Sequence, residues 1–382
     1  MSVAKYPLFK VHVNKVDALN LIESVFDSGF INEGVEVSKL TEAMEHELQA
    51  DNLILTNSCT SALTLALRLA DVGHLDHVIS TPMTCVASNT PIIVAGAHIV
   101  WADIDPEFGM VTPQTVESAM TLETKAVIVV AWAGTPPDLR GIRQVCDERG
   151  VALILDAAHA FDSGFAGKPA HAWAHYTCYS FQAIKHFTTG DGGALVCQRP
   201  ADHHRAKALK WFGLDRDRVK DEKGDWRGQH WDVDIVESGY KFNMNNLAAA
   251  VGLSQLKYID QILGAHRSNA SIYDQIFRNH AGVRPLKRHD DAFSSHWVYA
   301  MKIDSNRAHI DRDELLRVLN IEGIMAGIVH VPNDDYTAFK QFKTNLPGVR
   351  EFSSHQFSLP CGWWLQEEDI HHIAHRVMEL TK

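Results

Sequence analysis

The sequence predicts an α/β protein whose large domain has a mainly parallel sheet and whose smaller C-terminal domain is α+β. Three apolar runs at 77–81, 98–102 and 126–131 have the length of buried strands. Helical periodicity is present at 112–119 and 138–149. Alternation of strands and helices favours parallel strands that helices cover on both faces.

The remaining elements are expected in the following order. Residues 15–49 have helical spacing in two pieces separated by the turn at 28–34. A long amphipathic helix is expected to follow Ile259 and to link the two domains. The other predicted elements are a strand at 53–56, helices at 62–70, 247–256, 311–319 and 365–381, a strand at 297–303 and a strand end at 328–332.

Composition indicates an ordinary globular protein. The chain has 382 residues, long enough for two domains, with 46% hydrophobic and 22% charged residues. A net charge of −11 argues against a nucleic-acid surface. The six cysteines form no CxxC pair, and neither a signal-type leader nor an apolar run long enough to span a membrane is found. We therefore expect a cytoplasmic protein without a nucleic-acid or membrane partner.

A single lysine, Lys185, precedes the small-residue run 188–193. Glycines in such a run let the backbone approach a ligand closely. A lysine amine attacks a carbonyl to form a Schiff base, provided that its pKa is depressed so that the neutral amine is present. The pattern indicates a reactive amine beside a phosphate, whereas a surface lysine in a glycine-rich turn is the simpler alternative.

The apolar run 151–155 ends at Asp156 and is typical of a buried parallel strand. Ligands of open α/β sheets bind at the carboxyl ends of such strands. An aspartate facing a pyridinium nitrogen is the expected partner of pyridoxal phosphate, with a lysine Schiff base as the other half. Asp156 and Lys185 together therefore indicate this cofactor.

A hydroxyl-rich turn at 57–61 joins the strand at 53–56 to the helix at 62–70. The first N–H groups of a helix have no partner within it, and the helix dipole favours negative charge there. The turn therefore suits a phosphate, although a helix cap without a ligand is an equal alternative on this stretch alone.

Several ordered motifs resemble those of the DegT/DnrJ/EryC1/StrS aminotransferases and span nearly the whole chain. They are NSCTSAL (57–63), TPMTCVASN (81–89), DAAHA (156–160), SFQAIKHFTTGDGG (180–193), GYKFNMNNLAAAVG (239–252), SSHWVYAMKI (294–303) and FSLP (357–360). The resemblance implies fold type I of the pyridoxal phosphate-dependent transferases, as in aspartate aminotransferase. It also implies a large cofactor-binding domain at 1–262 and a small domain at 263–382.

The resemblance implies amination of a nucleotide-linked keto-deoxy sugar, with an amino acid donor, expected to be glutamate. Lys185 would hold the cofactor in a Schiff base and serve as acid and base, and Asp156 would keep the pyridine nitrogen protonated. A homodimer with shared active sites is expected. The product would be an unusual sugar for a surface polysaccharide or glycoconjugate.

Further cofactor contacts are carried over by the same resemblance. The backbone of Cys59 and Thr60 and the side chain of Ser180 are expected at the phosphate, and His159 beside the phenolic oxygen. Cys85 stands where relatives often have an aromatic residue that stacks on the ring. Either its sulfur packs on the ring or another residue covers that face, and a merely buried cysteine is the alternative.

Two segments are expected to bind substrate or to reach the neighbouring subunit. In the family, a polar side chain from the segment at 239–246 contacts the neighbour's cofactor phosphate, and relatives place it at either Lys241 or Asn243. We assign Asn243 to the cofactor and Lys241 to the substrate. His330 resembles a position near the sugar nucleotide, although residues 333–335 depart from the family pattern.

Three alternatives remain open. Family members that dehydrate sugars have histidine in place of the reactive lysine, but position 185 is lysine and His186 is one residue away. A regulatory protein could keep the fold without the chemistry. A metal-dependent hydrolase could use His371 and His375, which share a helix face, but a solvated face is the simpler interpretation and no metal is expected.

Residues 207–236 combine many charges of both signs with Trp211, Trp226 and Trp231. This composition predicts a long exposed loop or hairpin whose aromatic side chains pack on a partner or a substrate.

Overall fold

A computed structural model describes residues 4–215 and 234–382. Its largest sheet has seven strands in the order β1-β9-β8-β5-β4-β2-β3. In chain order the strands are β1 (Leu53–Thr56), β2 (His77–Ser80), β3 (His98–Trp101), β4 (Thr124–Val130), β5 (Ala152–Asp156), β6 (Gly164–Phe165), β7 (Lys168–Pro169), β8 (Tyr176–Ser180), β9 (Gly193–Cys197), β10 (Val283–Pro285), β11 (Ala292–Phe293), β12 (Tyr299–Ile303) and β13 (Gln356–Leu359).

Twelve α-helices surround and connect these strands in the described part of the chain. They are α1 (Lys15–Ser28), α2 (Val35–Leu48), α3 (Cys59–Leu69), α4 (Val86–Val94), α5 (Pro113–Ala119), α6 (Leu139–Arg149), α7 (Pro200–Leu209), α8 (Asn246–Leu256), α9 (Ile259–Phe277), α10 (Arg312–Ile321), α11 (Pro347–His355) and α12 (Glu367–Leu380). Short 3-10 turns occur at Trp132–Gly134, Ala170–Trp173, Asn333–Asp335 and Thr337–Phe342.

The predicted mainly parallel sheet is confirmed. β9 runs antiparallel to both of its neighbours, β1 and β8, whereas the other neighbouring strands are parallel. The carboxyl ends of the six strands that share a direction therefore lie at one edge, together with the start of β9. Both faces are covered, which explains why β5 carries a continuous apolar run instead of an alternating one.

A second hydrophobic core lies around the three-stranded sheet β10-β12-β13. Tyr273 and Phe277 of α9 pack in this core with Tyr299 of β12. Trp297 and Val298, which just precede β12, belong instead to the larger core around the parallel sheet. The division between residues 262 and 263 falls inside α9 and stays a prediction.

The expected strand end at 328–332 is wrong. None of residues 328–332 belongs to a strand, and the preceding Gly327 forms an isolated antiparallel bridge with Ser358. Pro332 has no backbone N–H, and the N–H of Asn333 donates to the Pro82 carbonyl at 2.8 Å. The segment therefore crosses towards the turn after β2 and does not extend a sheet.

Other expectations differ in detail. The predicted loop at 207–236 begins later than expected, because α7 continues to Leu209, and most of it, including Trp226 and Trp231, lies outside the described residues. The predicted helix at 62–70 begins at Cys59, since Ser58 caps it. Among the described residues, none of the helices combines the length and the apolar character that crossing a membrane requires.

Candidate functional site

The predicted site residues converge on one edge of the large sheet. β5 ends at Asp156 and β8 ends at Ser180, and these strands are direct neighbours. β9 begins there at Gly193, which pairs with Ser180 on one side and with Thr56 of β1 on the other. The chain therefore brings four strand ends together where ligands of α/β sheets bind.

The turn after β1 forms the N-terminus of α3 against this edge. The Ser58 hydroxyl caps the helix by accepting the Ser61 N–H at 3.1 Å, and the Ser61 hydroxyl donates to Asn57 Oδ1 at 2.6 Å. Cys59 and Thr60 are then the first two helical residues, whose N–H groups the helix itself does not use. This is the predicted anion site, and the cap fixes its orientation.

Gly193 permits the helix start to lie so close to the sheet. A Cβ at this glycine would lie 2.5 Å from the Cys59 nitrogen and 2.7 Å from the Tyr179 oxygen. Both are backbone atoms, which cannot move aside as the end of a flexible side chain can. The absence of a side chain at Gly193 therefore sets the distance between α3 and the strand ends.

Asp156 is a buried carboxylate that accepts hydrogen bonds from Ser88 and Ala158, with the Cys59 sulfur 4.0 Å from its Oδ1. Its Oδ2 accepts the Ser88 hydroxyl at 2.6 Å, and its Oδ1 accepts the Ala158 N–H at 3.0 Å. Burial raises the pKa of Asp156, while these two hydrogen bonds and the charge of Lys185 act to lower it. The carboxylate is thus held in a fixed direction by groups that favour its ionised form.

Lys185 lies in the turn that follows β8, with its backbone N–H donating to the Gln182 carbonyl at 2.9 Å. Burial lowers the pKa of its amine to about 8, although Asp156, Cys59 and Cys85 each act in the opposite direction. An amine with this pKa is neutral in roughly a tenth of molecules at pH 7. Lys185 is therefore poised to act both as a nucleophile and as a proton carrier.

His159 and His330 stack on each other with ring centroids 5.5 Å apart. Burial lowers the pKa of His159 well below its usual range and the pKa of His330 to about 4, and the charge of Lys185 acts in the same direction. Both rings are therefore neutral at pH 7. Within the described residues, His159 Nδ1 and His330 Nε2 are buried without a hydrogen-bond partner, so both atoms are available to a ligand.

Trp297 was not singled out by the sequence reasoning as a site residue, yet it contacts both His159 and Lys185. Its ring stacks on His159 with centroids 3.9 Å apart and planes 17° apart. The Lys185 Nζ lies over the indole at 3.7 Å from the ring centroid. The tryptophan stands within the quoted motif SSHWVYAMKI, but the sequence carries no signal of a contact so distant along the chain.

Ser88 and Asn333 were also missed. The Ser88 hydroxyl bonds Asp156 and is itself 2.9 Å from the hydroxyl of Thr84, which lies just before the N-cap of α4. Asn333 is 1% exposed, and it bonds Asn89 at 2.8 Å and the Thr84 carbonyl at 2.7 Å. Because Thr84 lies outside α4, a helix-face spacing within TPMTCVASN would not have predicted this contact.

Cys85 is half-buried at the N-cap of α4, and it lies near enough to Lys185 to influence its charge. Burial and the Asp156 charge raise the pKa of Cys59 well above its usual range, which keeps this thiol neutral. The roles predicted for both cysteines, for Thr60 and for Ser180 stay predictions.

Asn243 and Lys241 lie together beside the end of β1, where Asn243 forms a bridge with Thr56. The Lys241 amine donates to Asn243 Oδ1 and lies 3.7 Å from the centroid of the Trp211 ring. The Asn243 amide donates to Asn32 Oδ1 at 3.2 Å, so the turn at 28–34 packs on this segment. The structure brings these residues near the start of α3 but leaves their predicted contacts untested.

His186 does not replace the lysine. Its Nε2 lies 3.0 Å from the Ser295 carbonyl oxygen, and its ring faces His266 at 4.6 Å. No group of three or more His, Cys, Asp or Glu side chains suited to a metal occurs in residues 4–215 and 234–382. The contacts of His186 thus give no support to the dehydratase.

The residues at this edge fit pyridoxal phosphate. The N-terminus of α3 suits its phosphate, the buried Asp156 carboxylate suits its pyridinium nitrogen, and the amine of Lys185 suits its aldehyde. The unpartnered Nδ1 of His159 adds a polar atom in the same place.

Comparisons with known proteins agree with this arrangement. The chain matches the model of the DegT/DnrJ/EryC1/StrS aminotransferase family over residues 13–378. Spore coat polysaccharide biosynthesis protein SpsC of Bacillus subtilis is 28% identical over 370 residues, which cover 94% of this chain and 93% of SpsC.

Solved structures extend the likeness to three dimensions. AtS13 from Actinomadura melliaura is 34% identical, with a TM-score of 0.91 over 99% of this chain and 100% of AtS13. DesI, solved in the presence of its TDP-sugar product, is 25% identical, with a TM-score of 0.86 over 99% of this chain and 93% of DesI. Since the family match also spans nearly the whole chain, this protein belongs to the DegT/DnrJ/EryC1/StrS aminotransferases, which depend on pyridoxal phosphate.

Proposed function

We propose that this pyridoxal phosphate-dependent sugar aminotransferase converts a nucleotide-linked keto-deoxy sugar to the corresponding amino sugar, with glutamate as the amino donor. The observation that carries the proposal is the amine of Lys185, with its lowered pKa, beside the buried carboxylate of Asp156. DesI was solved with a TDP-sugar product, and SpsC is named for polysaccharide biosynthesis. These relatives favour a sugar nucleotide as substrate and a surface polysaccharide or glycoconjugate as destination.

When bound, the cofactor supplies an electron sink that stabilises negative charge on the carbon next to the transferred amine. Asp156 would hold the proton on the pyridine nitrogen, because a buried carboxylate oriented by Ser88 and Ala158 favours a cationic partner. The N–H groups of Cys59 and Thr60 and the Ser180 hydroxyl would bind the phosphate, and Asn243 of a second subunit would complete that site.

Lys185 Nζ would carry the proton between the donor or sugar carbon and the cofactor carbon. With a pKa of about 8, this amine accepts and returns a proton near neutral pH without a large energetic penalty in either direction. His159 is buried, His330 is half-buried, and both rings are neutral, so they can donate or accept hydrogen bonds without adding a second positive charge beside the amine.

His330 and Lys241 are the side chains that we assign to the substrate. The buried Nε2 of His330 lacks a partner among the described residues, which suits a sugar hydroxyl or carbonyl. Lys241 is cationic, which suits a diphosphate. A homodimer with shared sites, and a cytoplasmic location for nucleotide-sugar metabolism, complete the proposal.

The test is an absorbance spectrum of the purified protein supplied with pyridoxal phosphate, before and after addition of glutamate. We expect a band of lysine-bound cofactor that glutamate bleaches, and we expect K185A to lack that band. The matched control is K125A, since Lys125 is an exposed residue of β4 and lies outside the strand-end edge. A wild-type protein that binds no cofactor would contradict the mechanism and favour the regulatory alternative. Nucleotide keto-sugars then test the acceptor.

A further inference from the structure

Trp297 is fixed beside the reactive lysine by its own polar atom. The residue is 3% exposed, and its indole Nε1 donates to the carbonyl of Ile184, the residue before Lys185, at 2.9 Å. Its backbone N–H donates to the Ala133 carbonyl at 3.0 Å. The tryptophan is thereby tied both to the parallel-sheet core and to the turn that carries Lys185.

The plane of the indole is also fixed. Trp297 stacks on His159 at 3.9 Å and on Phe9 at 4.6 Å, with interplanar angles of 17° and 25°. A buried side chain with these contacts has little freedom to rotate. The Lys185 amine lies 3.7 Å from the centroid of the indole ring. The fold therefore fixes the position of the indole face relative to this amine.

A cation over the face of an indole is attracted by the ring quadrupole, and tryptophan is the strongest of the aromatic side chains in this respect. The attraction acts on the ammonium form of lysine and not on the neutral amine. It opposes the effect of burial, which favours the neutral form. The other ionisable groups that face Lys185 are Asp156, Cys59, Cys85, His159, His186 and His330.

We propose that Trp297 is a positioning residue that holds the amine of Lys185, in its cationic form, over the indole face. This proposal rests on the proposed function in one respect, since transamination requires the lysine amine to be displaced and then to return. The indole gives the displaced amine a defined place beside the strand ends, where burial of the amine leaves its charge only partly solvated.

The first test changes the indole without changing its shape. Biosynthetic replacement of all nine tryptophans with fluorotryptophans withdraws electron density from the ring face, so the cation–π attraction weakens. The pKa of Lys185 is read from the pH dependence of its labelling by an amine-directed reagent, with the labelled peptide quantified by mass spectrometry. We expect the pKa to fall progressively from one to four fluorines per ring. An unchanged pKa would overturn the proposal.

The second test uses substitutions in the full-length chain. W297L removes the ring, and we expect the pKa of Lys185 to fall by about one unit, a tenfold change in its acid dissociation constant. W297F keeps a weaker aromatic face, and the expected pKa lies between those of W297L and the wild type. F9L is the matched control, because it removes a ring stacked on Trp297 but leaves the indole over the amine.

A rise in the pKa of Lys185 in W297L would mean that the tryptophan only excludes water, and that outcome would reject the proposed role. The labelling measurement needs neither sugar nor donor. Failure of the amination reaction would therefore leave this result interpretable, and failure of the labelling prediction would leave the proposed function standing.

Discussion

The Ser88 hydroxyl donates a hydrogen bond of 2.6 Å to Asp156, the carboxylate at the end of the central strand β5. Ser88 lies on α4, so the bond joins two elements that are 68 positions apart in sequence. The Thr84 hydroxyl lies 2.9 Å from that of Ser88 and helps to hold the serine in place, and the ionised carboxylate can only accept the serine proton. The direction of Asp156 is thus set by the helix that follows the second strand.

S88A is expected to weaken cofactor binding by about 10- to 100-fold, since a hydrogen bond to a charged group contributes about 1.5–3 kcal/mol. The hydrogen bond from Ser88 lowers the pKa of Asp156, whereas burial raises it, so the pKa of Asp156 should rise further in S88A. S88T keeps the hydroxyl and should restore most of the affinity. Titration of the protein with pyridoxal phosphate, followed by absorbance, measures both variants. Equal affinities for S88A and the wild type would show that the contacts of Ala158 and Cys59 orient the carboxylate without Ser88.

Asn333 connects the segment that carries His330 to the turn after β2. N333A leaves the Thr84 carbonyl and the Asn89 amide without their partner, and we expect a loss of at least about 2 kcal/mol in the free energy of unfolding. The control is D335A, which removes an exposed carboxylate in the same short turn and should cost less than about 1 kcal/mol. Urea unfolding compares them, and equal losses would contradict the buried role of Asn333.

The sequence was informative where a pattern has one physical meaning. An apolar run that ends in Asp156 requires a buried parallel strand with its acid at the ligand edge, and the structure has that arrangement. A lysine before a glycine-rich run likewise predicted that Lys185 lies beside this edge. By contrast, residues 328–331, three of which are β-branched, have the composition of a strand, but Pro332 and the contacts of Asn333 direct the backbone elsewhere.

Contacts between distant segments could not be read from the sequence. Trp297 donates a hydrogen bond to the carbonyl of Ile184, 113 positions away. Its position relative to Lys185 depends on how the segment before β12 packs on the parallel sheet. No local propensity determines that docking. Asn333 was noted only as a departure from the family pattern, and its two side-chain bonds to the loop and helix after β2 give that departure a structural reason.

Gly193 provides a test of the close approach between α3 and the sheet. A methyl group there meets backbone atoms of Ser58, Cys59 and Tyr179 at 2.5–2.7 Å, so G193A should lower the free energy of unfolding by about 1–3 kcal/mol and displace the helix start. The affinity for phosphate should fall together with the stability.

The matched control is G264A in α9, where no atom lies within 4 Å of the added Cβ and a small gain in the free energy of unfolding is expected. Unfolding curves and binding of inorganic phosphate report the two effects. Equal stability of G193A and the wild type would indicate that the strand ends can separate at little cost.

The buried histidines predict how stability depends on pH, and His266 allows the clearest test. Burial lowers its pKa to about 4, and its Nδ1 lies 2.8 Å from the His296 carbonyl oxygen, to which it donates as the neutral imidazole. An unfolded chain binds a proton at this histidine below a pH of about 6.5, whereas the folded protein does so only near pH 4. The unfolded state therefore binds more protons between these values, and stability falls as the pH is lowered through that window.

H266N removes the imidazole that titrates, while the asparagine amide can still donate a hydrogen bond to the His296 carbonyl. The free energy of unfolding of the variant should fall less steeply between pH 6 and 5, with a difference in slope of up to about 1.4 kcal/mol per pH unit. Above pH 7 the two proteins should differ by an amount that no longer changes with pH. Urea unfolding at constant ionic strength measures both slopes. Parallel curves throughout would mean that His266 takes up its proton equally in the folded and unfolded chains, and that the loss of stability in acid arises from the other buried imidazoles.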